Sequence, residues 1–174
     1  MNETLSPKAN RRRAFLGAAA AAALVPTLLV VPPTSAEGAG PMASGAAHIS
    51  RNGEPLTLSF NVKRLASGEV VGQAQRQAGP VDATIHYELN CLRIVGNKAI
   101  VGGIVTRSTS PSFVVGRKAI FSVEDNGEGP NEGVDRVSFV LHATSDTMPG
   151  TCLTVTPPAS ATFDVEKGNV QVRP

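Results

Sequence analysis

The chain has 174 residues, 41% of them hydrophobic, no tryptophan and a single tyrosine. Its formal charge of +2 is deceptive, because Lys8, Arg11, Arg12, Arg13 and Glu3 all belong to an N-terminal export signal. The remainder of the chain carries 12 basic and 13 acidic side chains, so composition argues against a nucleic-acid partner. The absence of tryptophan and the single tyrosine also disfavour a sugar-stacking surface.

The signal occupies residues 1–36. "NRRRAFLG" sets Arg12 and Arg13 before Phe15 and Leu16. An alanine-rich apolar run and "PPTSAEG" come next, so basic region, apolar region and small-residue cleavage site stand in order. The arginine pair resembles the twin-arginine (Tat) signal of bacteria. It implies passage through the Tat translocase, cleavage after Ala36, and a periplasmic or extracellular destination. As a membrane anchor, Ala14 to Val31 is near the lower limit of about 17 residues for a spanning helix. Alanine adds little hydrophobicity, and Pro26 breaks the helix, so no span is expected after cleavage. Export of a folded chain does not by itself imply a cofactor.

Residues 37–45, "EGAGPMASG", are small and read as a flexible leader, leaving 46–174 as a single β-domain. "LTLSFNVKR" alternates strictly, with Leu56, Leu58, Phe60 and Val62 on one face. "ASG" at 66–68 turns the chain, "EVVGQAQRQ" runs back, and Gly79-Pro80 breaks it. "VDATIHYELN" resumes the alternation, with Val81, Ala83, Ile85, Tyr87 and Leu89 inward. Gly96-Asn97 suits a type II′ hairpin between 91–95 and 98–106. "AIVGGIV" is apolar on both faces, as in a covered central strand, and Gly102-Gly103 allows a bulge or a close backbone approach. Further strands place Ala119, Phe121 and Val123 on one face, then Val137, Phe139 and Leu141. The chain closes with Phe163 and Val165, a turn at Gly168-Asn169, then Val170 and Val172. No segment after the signal has sustained helical periodicity. The expected fold is all-β: an antiparallel meander of eight to ten short strands forming a closed or nearly closed barrel, with a β-sandwich as the alternative.

Outside the cytoplasm two cysteines most simply make one disulfide, here Cys91–Cys152. The closed loop of about 60 residues corresponds to on the order of 4 kcal/mol of chain entropy.

The acidic stretch "VEDNGEGPNEGVDR" holds Glu124, Asp125, Glu128, Glu132 and Asp135. Asp125-Asn126-Gly127 and Gly129-Pro130 are turn signals, which makes a polar inter-strand loop the plainest reading. Calcium is the alternative, with Asp125, Asn126, Glu128 and Asp135 as candidate oxygen ligands, although the spacing is not that of an EF-hand. A carboxylate acid/base pair needs burial that a glycine-rich loop does not promise. His48, His86 and His142 share no metal-ligand spacing. No nucleophile elbow, zinc-protease motif or phosphate loop is present.

"CLRIVGNKAIVGGIVTRS" together with "FSVEDNGEGPNEGVDRVSFVL" resembles a group of secreted bacterial β-domains. In that group a cysteine-led hairpin precedes a V-E-D-N-G-E-G…D-R-V-S segment. "LSFNVKRLASGEVVGQAQ" extends the likeness over most of residues 56–141. The resemblance implies a compact extracytoplasmic domain and carries over no catalytic residue. The expected function is an exported, non-enzymatic binding or structural module of the envelope or exterior, with no assigned cofactor. A small barrel hydrolase, isomerase or lyase with a pocket at the barrel mouth is the second reading. A wide apolar-lined cavity containing His86, His142 or Tyr87 beside a carboxylate would favour it, and a solidly filled interior would count against it. A calcium-stabilised domain is the third.

Overall fold

A computed structural model describes residues 40–78, 83–129, 132–143 and 152–174. The export-signal residues Arg12, Arg13, Phe15 and Leu16, the cleavage position after Ala36 and the first part of the leader lie outside these. The fold is all-β and antiparallel. Strands β1 (Met42–Arg51), β2 (Glu54–Arg64), β3 (Val70–Ala78), β4 (Ala83–Val95), β5 (Lys98–Ser108) and β6 (Lys118–Glu124) succeed one another as a meander. Three short strands come next: β7 (Arg136–Ser138), β8 (Leu141–His142) and β9 (Thr162–Asp164). The last, β10 (Lys167–Arg173), returns to pair with β1. All ten strands belong to one sheet curled into a half-barrel, so the sandwich alternative does not hold.

The alternation in β2 and β4 has the expected phase: Leu56, Leu58, Phe60, Val62, Ala83, Ile85, Tyr87 and Leu89 are all buried. The hairpin at Gly96 forms as read, with the first turn residue at φ 60. The covered strand is β5, paired on both sides and buried from Ala99 to Gly103. At Gly103 a Cβ would strike the backbone of Glu88, whereas at Gly102 it would rest 3.3 Å from the Cys91 Cβ and 3.4 Å from that of Cys152. One glycine therefore admits the neighbouring backbone and the other forms the floor under a disulfide. Cys91 and Cys152 are bonded, with Cα atoms 5.8 Å apart. Register shifts on either side of Tyr87–Leu89 are bulges that increase local twist and bend the sheet.

Three expectations change. Met42–Gly45 are not leader but the start of β1, because Asn52 and Gly53 at φ 53 and 82 form the tight turn that pairs β1 with β2. Gly168-Asn169 does not turn the chain. Both residues lie inside β10, and the change of partner comes at Val165 and Glu166, whose N–H groups donate to Asp135 and His48 carbonyls. Gly168 instead takes a left-handed φ of 111 beside the Ala46 carbonyl. Finally, Val137, Phe139 and Leu141 do not share a face. Val137 pairs with Val123 and Leu141 with Ile120, a slip of one residue. Phe139 N–H donates to Ala161 O at 2.7 Å, away from β6. The slip sends Val140 into the main core and Leu141 to a small cluster with Ile100, Ile120 and the disulfide.

A curled sheet that does not close by strand pairing leaves N–H groups along its edge. Here the acidic stretch supplies their acceptors. Asp135 is 7% exposed and accepts from Val170 N–H at 2.8 Å and Asn126 N–H at 2.9 Å. Asp125 accepts from Val172 N–H at 2.9 Å and Gly127 N–H at 3.1 Å. Two carboxylates thus bridge β10 to the segment between β6 and β7. Asp135→Ala strands two N–H groups and removes two charge-assisted bonds, so a loss of roughly 3 kcal/mol is expected by urea unfolding. Asp135→Asn, which keeps an acceptor, is expected to lose less.

Candidate functional site at one end of the half-barrel

The main core is apolar along most of its length. Phe60 and Phe121 meet edge to face across it, ring centroids 5.4 Å apart. Toward the end marked by the β1–β2 turn the lining becomes polar. The inward face of β3 is Val70, Gly72, Ala74, Arg76 and Ala78, and Arg76 is only 4% exposed. Among the described residues its Nε and Nη1 have no hydrogen-bond partner. Among the described residues no carboxylate forms an ion pair with it; the three such pairs join Lys98 and Arg136 to Glu124, and Arg136 to Asp164. Its charge rests on aromatic faces instead, 4.4 Å from the Phe139 centroid and 5.1 Å from that of Phe113. Arg51, exposed at the end of β1, also sits 4.4 Å from Phe139. Each contact of this kind contributes about 0.5–2 kcal/mol, less than the several kcal/mol of taking an unpaired ion out of water.

Beside Arg76, the Tyr87 hydroxyl lies 3.0 Å from Nε2 of His142. The His142 ring packs on Phe113 at 4.8 Å. Burial pushes the Tyr87 phenol up to about 12, partly offset by Arg76. Burial also pushes His142 down to about 4, with Arg76 and Arg117 adding repulsion. Both are therefore neutral at pH 7. A guanidinium only donates, so toward Arg76 the Tyr87 oxygen is an acceptor. A backbone hydrogen bond at Val140 raises the His142 pKa against the larger effect of burial.

Phe139 packs against the main core on the same side as Val137, with its ring against the two arginines. Phe139, Phe113 and Arg76 line a cavity of about 390 Å³ whose rim includes Arg51, Glu54 and Ser112. Of the residues singled out in the sequence, Tyr87 and His142 are brought together here. His86 is not: it lies on the outer face, in a polar groove with Asn61, Gln75 and Arg107. His48 bonds Thr57 at 3.0 Å on the surface. Sequence reading missed Arg76, Phe113 and Phe139. The signal for Arg76 was present, since Gln73, Gln75 and Gln77 claim the outer phase of β3 and force Arg76 inward.

The calcium candidates have other partners. The Asp125 and Asp135 oxygens meet the backbone N–H groups of the seam. Glu128 Oε1 accepts from Asn169 Nδ2 at 2.7 Å and Gln171 Nε2 at 3.2 Å. Asn126 Nδ2 donates to Val134 O at 2.7 Å, and its Oδ1 accepts from Asn97 Nδ2 at 2.9 Å. A cation site needs converging oxygens with free lone pairs; these oxygens converge on donors. Among the described residues no group of three or more His, Cys, Asp or Glu is placed to hold a metal, and no helix is long and apolar enough to cross a membrane.

Comparison with family models, curated proteins and solved structures finds no match to the chain.

Two outcomes are expected. The thermal midpoint should be the same in EDTA and in millimolar calcium; a saturable rise lost in Asp125→Ala would restore the calcium site. His142 has a folded pKa near 4 against 6.5 ordinarily, so the unfolded chain binds more protons between those values. Its contribution to stability is complete above about pH 6.5 and is lost as the pH falls toward 4. Urea midpoints should therefore drop on acidification, and drop less in His142→Gln.

Proposed function

We propose that this chain is an exported, non-enzymatic binding module whose ligand seat is the Arg76 end of the half-barrel. The observation that carries the reading is a guanidinium buried without a carboxylate partner among the described residues, at a cavity walled by Phe113 and Phe139. A fold gains nothing in stability from such a charge, and departures of this kind from packing rules concentrate at functional sites. Export through the Tat route rests on the N-terminal signal, and the Cys91–Cys152 disulfide supports an oxidising destination.

The enzymatic alternative would draw on Tyr87 beside His142, a pair that neighbours Arg76 without lining that cavity. Two features weigh against it. A general acid or base works best with a pKa near the operating pH, and here one group is pushed to about 12 and the other to about 4. The described residues also put no carboxylate beside the pair to orient it.

The experiment is a stability comparison. If Arg76 serves a ligand, Arg76→Met relieves an uncompensated buried charge and should raise unfolding stability by roughly 1 kcal/mol or more. A loss of similar size would make Arg76 a structural post and defeat the reading.

A further inference from the structure

We infer that the seat takes a monocarboxylate carried on an apolar body. This rests on the binding reading and adds the chemistry of the ligand. The donors decide the polar end. Tyr87 and His142 are paired with each other, and Arg76 Nε and Nη1 are the donors without a partner among the described residues. A planar carboxylate is the group a guanidinium engages through paired N–H···O bonds. A neutral amide or hydroxyl would accept the same protons without balancing the charge.

The charges around the cavity limit the anion to one negative charge. Arg51 stands at the rim, but Glu54 lines the same cavity and opposes a dianion such as a phosphate monoester. The walls decide the other end. Phe113, Phe139 and Leu56 are apolar, and about 390 Å³ lies within the range of about 300–1,000 Å³ that holds a small organic ligand. Acetate or formate would leave those rings uncovered.

The molecule carries its own reporter. Tyr87 is the one tyrosine and tryptophan is absent, so intrinsic emission comes from a side chain directly beside Arg76. The purified protein is titrated with octanoate, octanamide and octyl phosphate while Tyr87 fluorescence is monitored. Octanoate is expected to give a saturable change and to bind about tenfold or more tighter than octanamide, as a charge-assisted bond requires. Arg76→Met should abolish that difference, and Arg76→Lys should keep part of it. Equal affinity for octanoate and octanamide overturns the carboxylate and keeps the seat. Tighter binding of octyl phosphate overturns the single-charge assignment and also keeps the seat. No response to any of the three overturns the seat itself, and with it this inference. The three-probe comparison needs no variant, so it stands even if Arg76→Met fails to fold.

Discussion

The two carboxylates at the seam are the constraint on which the rest depends. A strongly bent sheet covers its concave face only if its first and last strands are held near each other. Here β10 pairs with β1 on one side, and on the other it meets a loop rather than a strand. Backbone N–H groups facing a loop would lose their partners on burial, at a cost of about 1–3 kcal/mol each. Asp125 and Asp135 act as a substitute ladder, reaching alternate residues Val172 and Val170. With the seam held, Phe60, Phe121, Val123 and Val137 share one core. The charged loop that first suggests a metal site is thus part of the scaffold, and its glycines let the chain turn tightly enough to aim both side chains.

The polar end of the interior is the counterpart of that apolar core. Arg76, Tyr87 and His142 are each tolerable inside because of the next: the phenol lies beside the guanidinium and pairs with the imidazole, and Phe113 and Phe139 cover the charge. Among the described residues Arg76 is left with Nε and Nη1 unpartnered. The same polarity explains why neither Tyr87 nor His142 is poised for proton transfer near neutral pH.

The disulfide works at a third place. It fixes the segment from Cys152 against the outer side of β4 and β5, where Arg93 donates to the Cys152 carbonyl at 2.8 Å and to Thr156 Oγ1 at 2.7 Å. Gly102 leaves room for it, and Ile100, Ile120 and Leu141 give it an apolar bed. β5 is buried on both faces for this reason: one side meets the barrel interior and the other meets the tethered segment.

By itself the sequence determined what depends on neighbours along the chain. Strict alternation set the phase of β2 and β4, since adjacent side chains on a strand must point to opposite faces. Gly96 set a hairpin, and the chain's two cysteines set a disulfide. Alternation in "MASGAAHIS" was hidden because alanine and glycine carry little contrast, and β1 was recovered only through its pairing. Tertiary structure alone decided the rest. A one-residue slip between the pairings of β7 and β8 with β6 moved Val140 into the main core and Leu141 out of it. The partners of Asp125 and Asp135 lie more than thirty residues away, on β10, and no local rule says that a carboxylate in a turn will find a strand edge rather than an ion. Those choices depend on which distant donors the curled sheet brings within hydrogen-bond reach, a quantity that exists only once the chain has closed on itself.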